Sequence, residues 1–207
     1  MPRLAAVLAL LSSVFLSLAG APALAQTPPA ATTPAPAPAT PPVPADTAQP
    51  PADPFGETVT LPERPIVYLR GEANWDTALE TLVATFKRLE DYLRKAQIAP
   101  SGPAITVYTQ ANDTGFSYQA ALPLTEAPKE PPPDGIAVGT SPGGAVLKFV
   151  HRGAYDTLDI TYEAITNELD RKGLDAKDMF IEEYVTDLTT TPEDKLTINI
   201  YVPVKTP

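Results

Sequence analysis

From Leu61 onward the chain alternates short apolar runs of strand type with two longer stripes of helical type. Trp75, Leu79, Leu82, Val83, Phe86, Leu89 and Leu93 recur at intervals of three and four residues. That spacing predicts an amphipathic helix from about Trp75 to Ala96, with Asn74 as its N-cap. RPIVYLRG before it reads as a strand. After the Pro100–Pro103 break, AITVYT and FSYQAALPL read as two more, joined by a turn over Ala111–Gly115. The second half repeats this order. AVLKFVH is a strand, and Tyr155, Leu158, Tyr162, Ile165 and Leu169 stripe a helix that ends at Gly173, a residue suited to a left-handed C-cap. MFIEEYVT and KLTINIYVPV complete the set, and TEAPKEPPPDG between the halves is a Pro-rich surface loop.

The two halves match residue by residue at an offset of 80. Trp75-Asp76-Thr77 corresponds to Tyr155-Asp156-Thr157, Leu89 to Leu169, and Leu122-Pro123-Leu124 to Val202-Pro203-Val204. With a local shift of four, Ile105 and Tyr108 correspond to Ile181 and Tyr184. Each half is therefore a β-α-β-β unit, and the chain is expected to be an α+β fold. One such unit buries too little to stand alone, so two helices on antiparallel sheet must share a core.

Composition sets the domain limits. Residues 1–25 carry Arg3, an apolar run from Leu4 to Leu18 and the small-residue pattern Ala23-Leu24-Ala25. This reads as a signal peptide cleaved after Ala25, because the run is short for a membrane span. Residues 26–60 are dominated by Pro, Ala and Thr and read as a disordered tether. Residues 61–207 then form the folded domain, with halves at about 61–127 and 135–207, and the protein is expected in the periplasm or outside the cell. The chain has no cysteine and a single histidine, His151, expected to be a structural hydrogen-bonding residue. No metal site and no cofactor are expected. The formal charge of −10, more negative once Arg3 is lost, disfavours nucleic acid and anionic lipid and favours cationic partners.

Several residues of the second half carry a likeness. His151-Arg152-Gly153-Ala154-Tyr155, Glu182-Glu183-Tyr184, Pro192-Glu193 and Ile200-Tyr201-Val202-Pro203 together resemble the GyrI-like family. This is also the effector-binding domain of AraC-type and multidrug-sensing bacterial activators. The resemblance covers about 63 residues directly and the first half through the repeat. It implies a duplicated β-α-β-β fold with a cleft between the halves for a lipophilic, often cationic, small molecule. Transcriptional regulation is not implied, since the chain offers no helix-turn-helix candidate. The acidic residue common in that family two positions before the Tyr of IYVP is Asn199 here.

Strand alternation proposes site residues independently. In the last strand Leu196, Ile198, Ile200 and Val202 take the helix side, leaving Thr197, Asn199 and Tyr201 on the other face. With Ile181 and Val185 as the core-side parity of the preceding strand, Glu182 and Tyr184 point away from the helices. The repeat carries that parity to Tyr108 and Gln119. Glu182, Tyr184, Asn199, Tyr201, Tyr108 and Gln119 are thus expected on one polar-aromatic, ligand-binding surface, with a solvated sheet face as the alternative. Glu182 is the expected counter-charge. Glu183 is expected at an edge or in an ion pair, the two glutamates exchanging roles if a bulge shifts the register. Asp76 and Asp156 are expected at helix N-termini, and Trp75 and Tyr155 as core or cleft-rim aromatics. Glu182 has no Ser-His, Cys-His or metal partner, so a non-catalytic binding domain is favoured. A hydrolase using Glu182 as general acid/base and an envelope interaction protein are the alternatives.

Overall fold

The computed structural model describes residues 55–205. The expected signal peptide and most of the expected tether lie outside the described residues. The first strand among the described residues, β1 (Glu57–Leu61), occupies the last residues of the segment read as tether. It is followed by β2 (Pro65–Asn74), α1 (Ala78–Ala96), β3 (Ile105–Ala111) and β4 (Gly115–Pro123). The second half contains β5 (Ala137–Thr140), β6 (Gly144–Gly153), α2 (Leu158–Lys172), β7 (Phe180–Tyr184) and β8 (Leu196–Pro203). Each helix is entered through a single 3-10 turn, Trp75–Thr77 and Tyr155–Thr157. Asn74 occupies the N-cap of the first turn but makes no side-chain cap bond. Both helices close in a left-handed residue, Gln97 at φ 57° and Gly173 at φ 61°.

All eight strands form one antiparallel sheet in the order β1-β6-β8-β7-β3-β4-β2-β5. The two helices pack on one face of it, as the repeat predicts. The order has a pseudo-twofold centre between β7 and β3, where Thr106 pairs with Glu182 and Val107 with Ile181. Thr106 and Glu182 are repeat equivalents at the shifted offset of 76, and the pair Val107–Ile181 has Ile105–Glu183 as its counterpart across the centre.

The repeat also begins earlier than the sequence pattern suggests. β1 and β5 are equivalent at the offset of 80, and each pairs with the opposite half: β1 with β6, β5 with β2. Each unit is therefore β-β-α-β-β with its first strand exchanged. The connectors that perform the exchange hold one another: Arg64 N donates to Ser141 Oγ at 3.0 Å, and Ser141 N donates to Arg64 O at 2.8 Å.

The main core lies between helices and sheet. Leu82, Phe86, Leu89 and Leu93 of α1 and Leu158, Tyr162, Ile165 and Leu169 of α2 meet Val67, Leu122, Phe149, Ile198 and Ile200. Burying each such apolar side chain stabilises the fold by roughly 1.5–3 kcal/mol. A second, smaller cluster, including Ile66, Ile105, Val107, Ile181 and Tyr201, occupies the other face. Both faces of the central strands are thus buried. Among the described residues no helix is long and apolar enough to cross a membrane.

Candidate functional site

The second cluster changes the parity of β7. Residues paired directly across antiparallel strands point to the same face. Glu182 pairs with Ile200 and Tyr184 with Ile198, both on the helix side, whereas Ile181 pairs with Tyr201 and Glu183 with Asn199 on the far side. The six expected site residues therefore do not share one surface. Glu182, Tyr184 and Tyr108 face the helices; Asn199, Tyr201 and Gln119 face away, Gln119 through its pairing with Val107. The apolar Ile181 marks the far-side cluster, and Val185, the other residue used to set the parity, is exposed. No bulge is involved. The misreading comes from a strand that is buried on both sides, where alternation carries no information about direction.

On the far side, Glu183 Oε2 accepts from Asn199 Nδ2 at 2.8 Å and from Tyr201 OH at 2.7 Å. Glu183 and Tyr201 line only a cavity of ≈ 30 Å³, room for little more than a water, together with the Arg64 and Ser141 connectors. His151 is likewise structural: its ring nitrogens lie 2.8 Å from Thr161 Oγ1 and 3.1 Å from Ala154 O, and burial lowers its pKa.

The helix-side group is of another kind. Glu182 is 1% exposed, and its carboxyl group is surrounded by phenols. Tyr108 OH and Tyr184 OH each donate to Oε2 at 2.9 Å, and Tyr162 OH donates to Oε1 at 2.7 Å. Tyr108 and Tyr184 are repeat equivalents, so two symmetry-related phenols converge on one carboxyl that sits beside the pseudo-twofold centre. Its own equivalent, Thr106, is buried and lies 3.0 Å from Tyr184 OH. Burial raises the pKa of Glu182, and the three phenol bonds oppose that rise; no cationic side chain is among the groups acting on it. Burial, followed by the Glu182 carboxylate, pushes Tyr108, Tyr162 and Tyr184 well above the usual phenol range.

Glu182 forms part of the wall of a cavity of ≈ 650 Å³. The rest of the wall comes from the N-terminal ends of the two helices: Ala78, Leu79 and Val83 from α1, Leu158 and Tyr162 from α2. The repeat-equivalent aromatics Trp75 and Tyr155 also line it, as do the acidic groups Asp76, Glu80, Asp156, Asp159 and Glu193. Lys87 is the one basic residue in the lining. An apolar cavity with a few placed polar groups is the form of a small-molecule site. Of the expected site residues, only Glu182 lines it directly; Tyr108 and Tyr184 stand behind, holding the carboxyl.

Tyr162 was hidden in the sequence as one member of an apolar stripe. Its repeat equivalent is Leu82. A tyrosine that replaces a core leucine in a duplicated helix needs a partner for its hydroxyl, and that signal was available.

The model of the GyrI-like small molecule binding domain matches residues 57–205. The chain belongs to this family. Among curated protein sequences none matches it. Among solved structures, the chain is similar to the EcmrR C-terminal domain, at 14% identity and a TM-score of 0.61, over 72% of this chain and 96% of that one. It is similar also to EcmrR in its complex with DNA, at 15% identity and a TM-score of 0.62, but there the match spans only 57% of that chain. SAV2435, solved bound to tetraphenylphosphonium, aligns at 17% identity and a TM-score of 0.50, over 72% of this chain and 93% of that one. As a GyrI-like domain the chain is a small-molecule-binding module, and the α+β fold with two helices on an eight-stranded antiparallel sheet is that of its neighbours.

Proposed function

We propose that the domain binds a lipophilic organic cation in the cavity between the helix N-termini, with Glu182 as the counter-charge. One observation carries this reading: a carboxyl group in the wall of a largely apolar cavity, sealed from water and supplied with phenol donors but with no cation of its own. A buried carboxylate without a positive partner is costly, and a ligand that brings the missing charge recovers that cost. The aromatic pair Trp75 and Tyr155 adds ring faces suited to the same kind of ligand. The tetraphenylphosphonium complex of SAV2435 supports this choice of ligand class. The composition of residues 1–60 supports an exported, tethered domain, so the ligand would be met outside the cytoplasm.

Trp75 is the single tryptophan of the chain and lines the cavity, so its fluorescence reports occupancy directly. Tetraphenylphosphonium should quench it saturably, and Glu182→Gln should weaken binding by about 10- to 100-fold. Unchanged affinity in Glu182→Gln would sink the assignment of the counter-charge. Failure of any lipophilic cation to bind would sink the reading itself.

A further inference from the structure

The hydrogen bonds around Glu182 are drawn for two protonation states at once. Tyr184 OH lies 2.9 Å from Glu182 Oε2 and 3.0 Å from Thr106 Oγ1, and its single hydrogen can serve only one of them. Tyr108 OH lies 2.9 Å from the same Oε2 and 3.4 Å from Tyr155 OH. Each phenol on Oε2 thus has a second oxygen to which its hydrogen can turn. With the carboxyl ionised, both phenols donate to it. With the carboxyl protonated, its own O–H donates to one phenol, which passes its hydrogen on to Thr106 or Tyr155. Neither state leaves a buried polar atom unsatisfied, and no such atom is found among the described residues.

The charges around the site do not settle the state in favour of the anion. From α1 and its entry turn come Asp76, Glu80 and Lys87; from α2 and its entry turn, Asp156 and Asp159; from the turn before β8, Glu193. The phenols Tyr108, Tyr155, Tyr162 and Tyr184 complete the surroundings, Glu183 is on the other face, and His151 is occupied by Thr161 and Ala154. Glu182 is buried with no cation against it, and burial favours its uncharged form against the pull of the three phenols, until a cation arrives.

We infer that Glu182 is a proton-exchange site: its carboxyl is protonated in the empty cavity, and a bound lipophilic cation takes the place of that proton. This rests on the binding reading above and adds a ligand rule to it. The cavity takes cations at the expense of a proton, and takes neutral lipophiles bearing a hydrogen-bond acceptor while the proton stays. In the exchange the Glu182 O–H bond breaks, the proton leaves to water, and the carboxylate that remains pairs with the ligand charge; no covalent bond to the ligand forms. The hydroxyls of Tyr108 and Tyr155 lead from Oε2 to the cavity wall and offer the proton its way out.

The test measures tetraphenylphosphonium affinity from about pH 4.5 to 8 by Trp75 fluorescence, a range that brackets a carboxyl raised above its ordinary value. Calorimetry in two buffers of different ionisation enthalpy counts the protons released. Exchange predicts affinity rising by about tenfold per pH unit at the acid end and then levelling, with about one proton released per cation on the rising limb. Neutral triphenylphosphine oxide should not gain affinity as pH rises, and Glu182→Gln should lose the slope. The calorimetric count on the unaltered protein stands even if that variant folds poorly. Cation binding with a flat profile and no proton release overturns exchange and leaves the binding reading intact. A slope that persists in Glu182→Gln, or appears equally for the neutral probe, also overturns it. Absence of binding at every pH is a different result, which removes the binding reading and exchange together.

Discussion

At the scale of single residues, the chemistry of the site is one carboxyl and the four phenol oxygens around it. Burial raises the pKa of Glu182, which ties its ionisation to the stability of the fold. In the interval between its unfolded value and its higher folded value, the native state holds a proton that the unfolded chain has released. Stability contributed by this group is therefore complete below the unfolded value and is lost as pH rises through the interval, at about 1.4 kcal/mol per unit. Glu182→Gln has no charge to bury. Its melting temperature relative to the parent should climb as pH is raised from about 4.5, and a constant difference would show that the carboxyl is not raised. Tyr184→Phe acts in the other sense. It takes one donor from Glu182 and leaves Thr106 Oγ1 without its 3.0 Å partner, costing about 1–2 kcal/mol. It should also extend the interval of pH-dependent stability at its upper end, since one of the groups that opposes the rise is gone.

At the scale of elements, the strand exchange makes β1 part of the second half although it precedes the first. Phe55 packs on Phe149 with ring centroids 4.8 Å apart, and Lys172 Nζ donates to Gly56 O at 2.7 Å. Five residues of β1 pair with β6, so removing β1 exposes a strand that carries the core residue Phe149. A chain starting at residue 55 should melt like the full-length protein, whereas one starting at residue 62 should lose about 3 kcal/mol or more. Equal melting temperatures for the two would mean that the exchanged strand contributes nothing. The same strand shows where the sequence was legible and where it was not. The helices, β2, β3, β4, β6 and β8, and the duplication could be read because their apolar spacing is local. The exchange could not, because ETVTL and AVGT are short, and their partners lie on the far side of the repeat. Glu182 could be singled out as a carboxyl among tyrosines, but its direction could not. The FIEEY strand is buried on both faces, and only its pairing with β8 decides which glutamate meets the cavity.

At the scale of the whole molecule, charge decides which ligands reach the cavity before any contact is made. The chain carries 25 acidic against 15 basic side chains, and five carboxylates line the cavity beside Glu182. Those at the helix starts are exposed or half-exposed, so added salt screens them, over about 10 Å at 0.1 M and about 3 Å at 1 M. Glu182, sealed from solvent, is screened far less. Two electrostatic contributions to cation binding can therefore be separated by ionic strength. Raising salt from 20 mM to 500 mM should slow tetraphenylphosphonium association several-fold, on the order of 3- to 10-fold, and leave its dissociation nearly unchanged. Replacing Asp156 and Glu193 together by asparagine and glutamine should flatten this dependence while retaining the difference between the parent and Glu182→Gln. Stopped-flow quenching of Trp75 reads both rates. If salt instead accelerates dissociation and spares association, the exposed carboxylates hold the ligand rather than guide it, and the buried group is not the counter-charge. If both rates are indifferent to salt, the acidic lining has no part in selection, and preference for a cation must come from Glu182 and the aromatic walls alone.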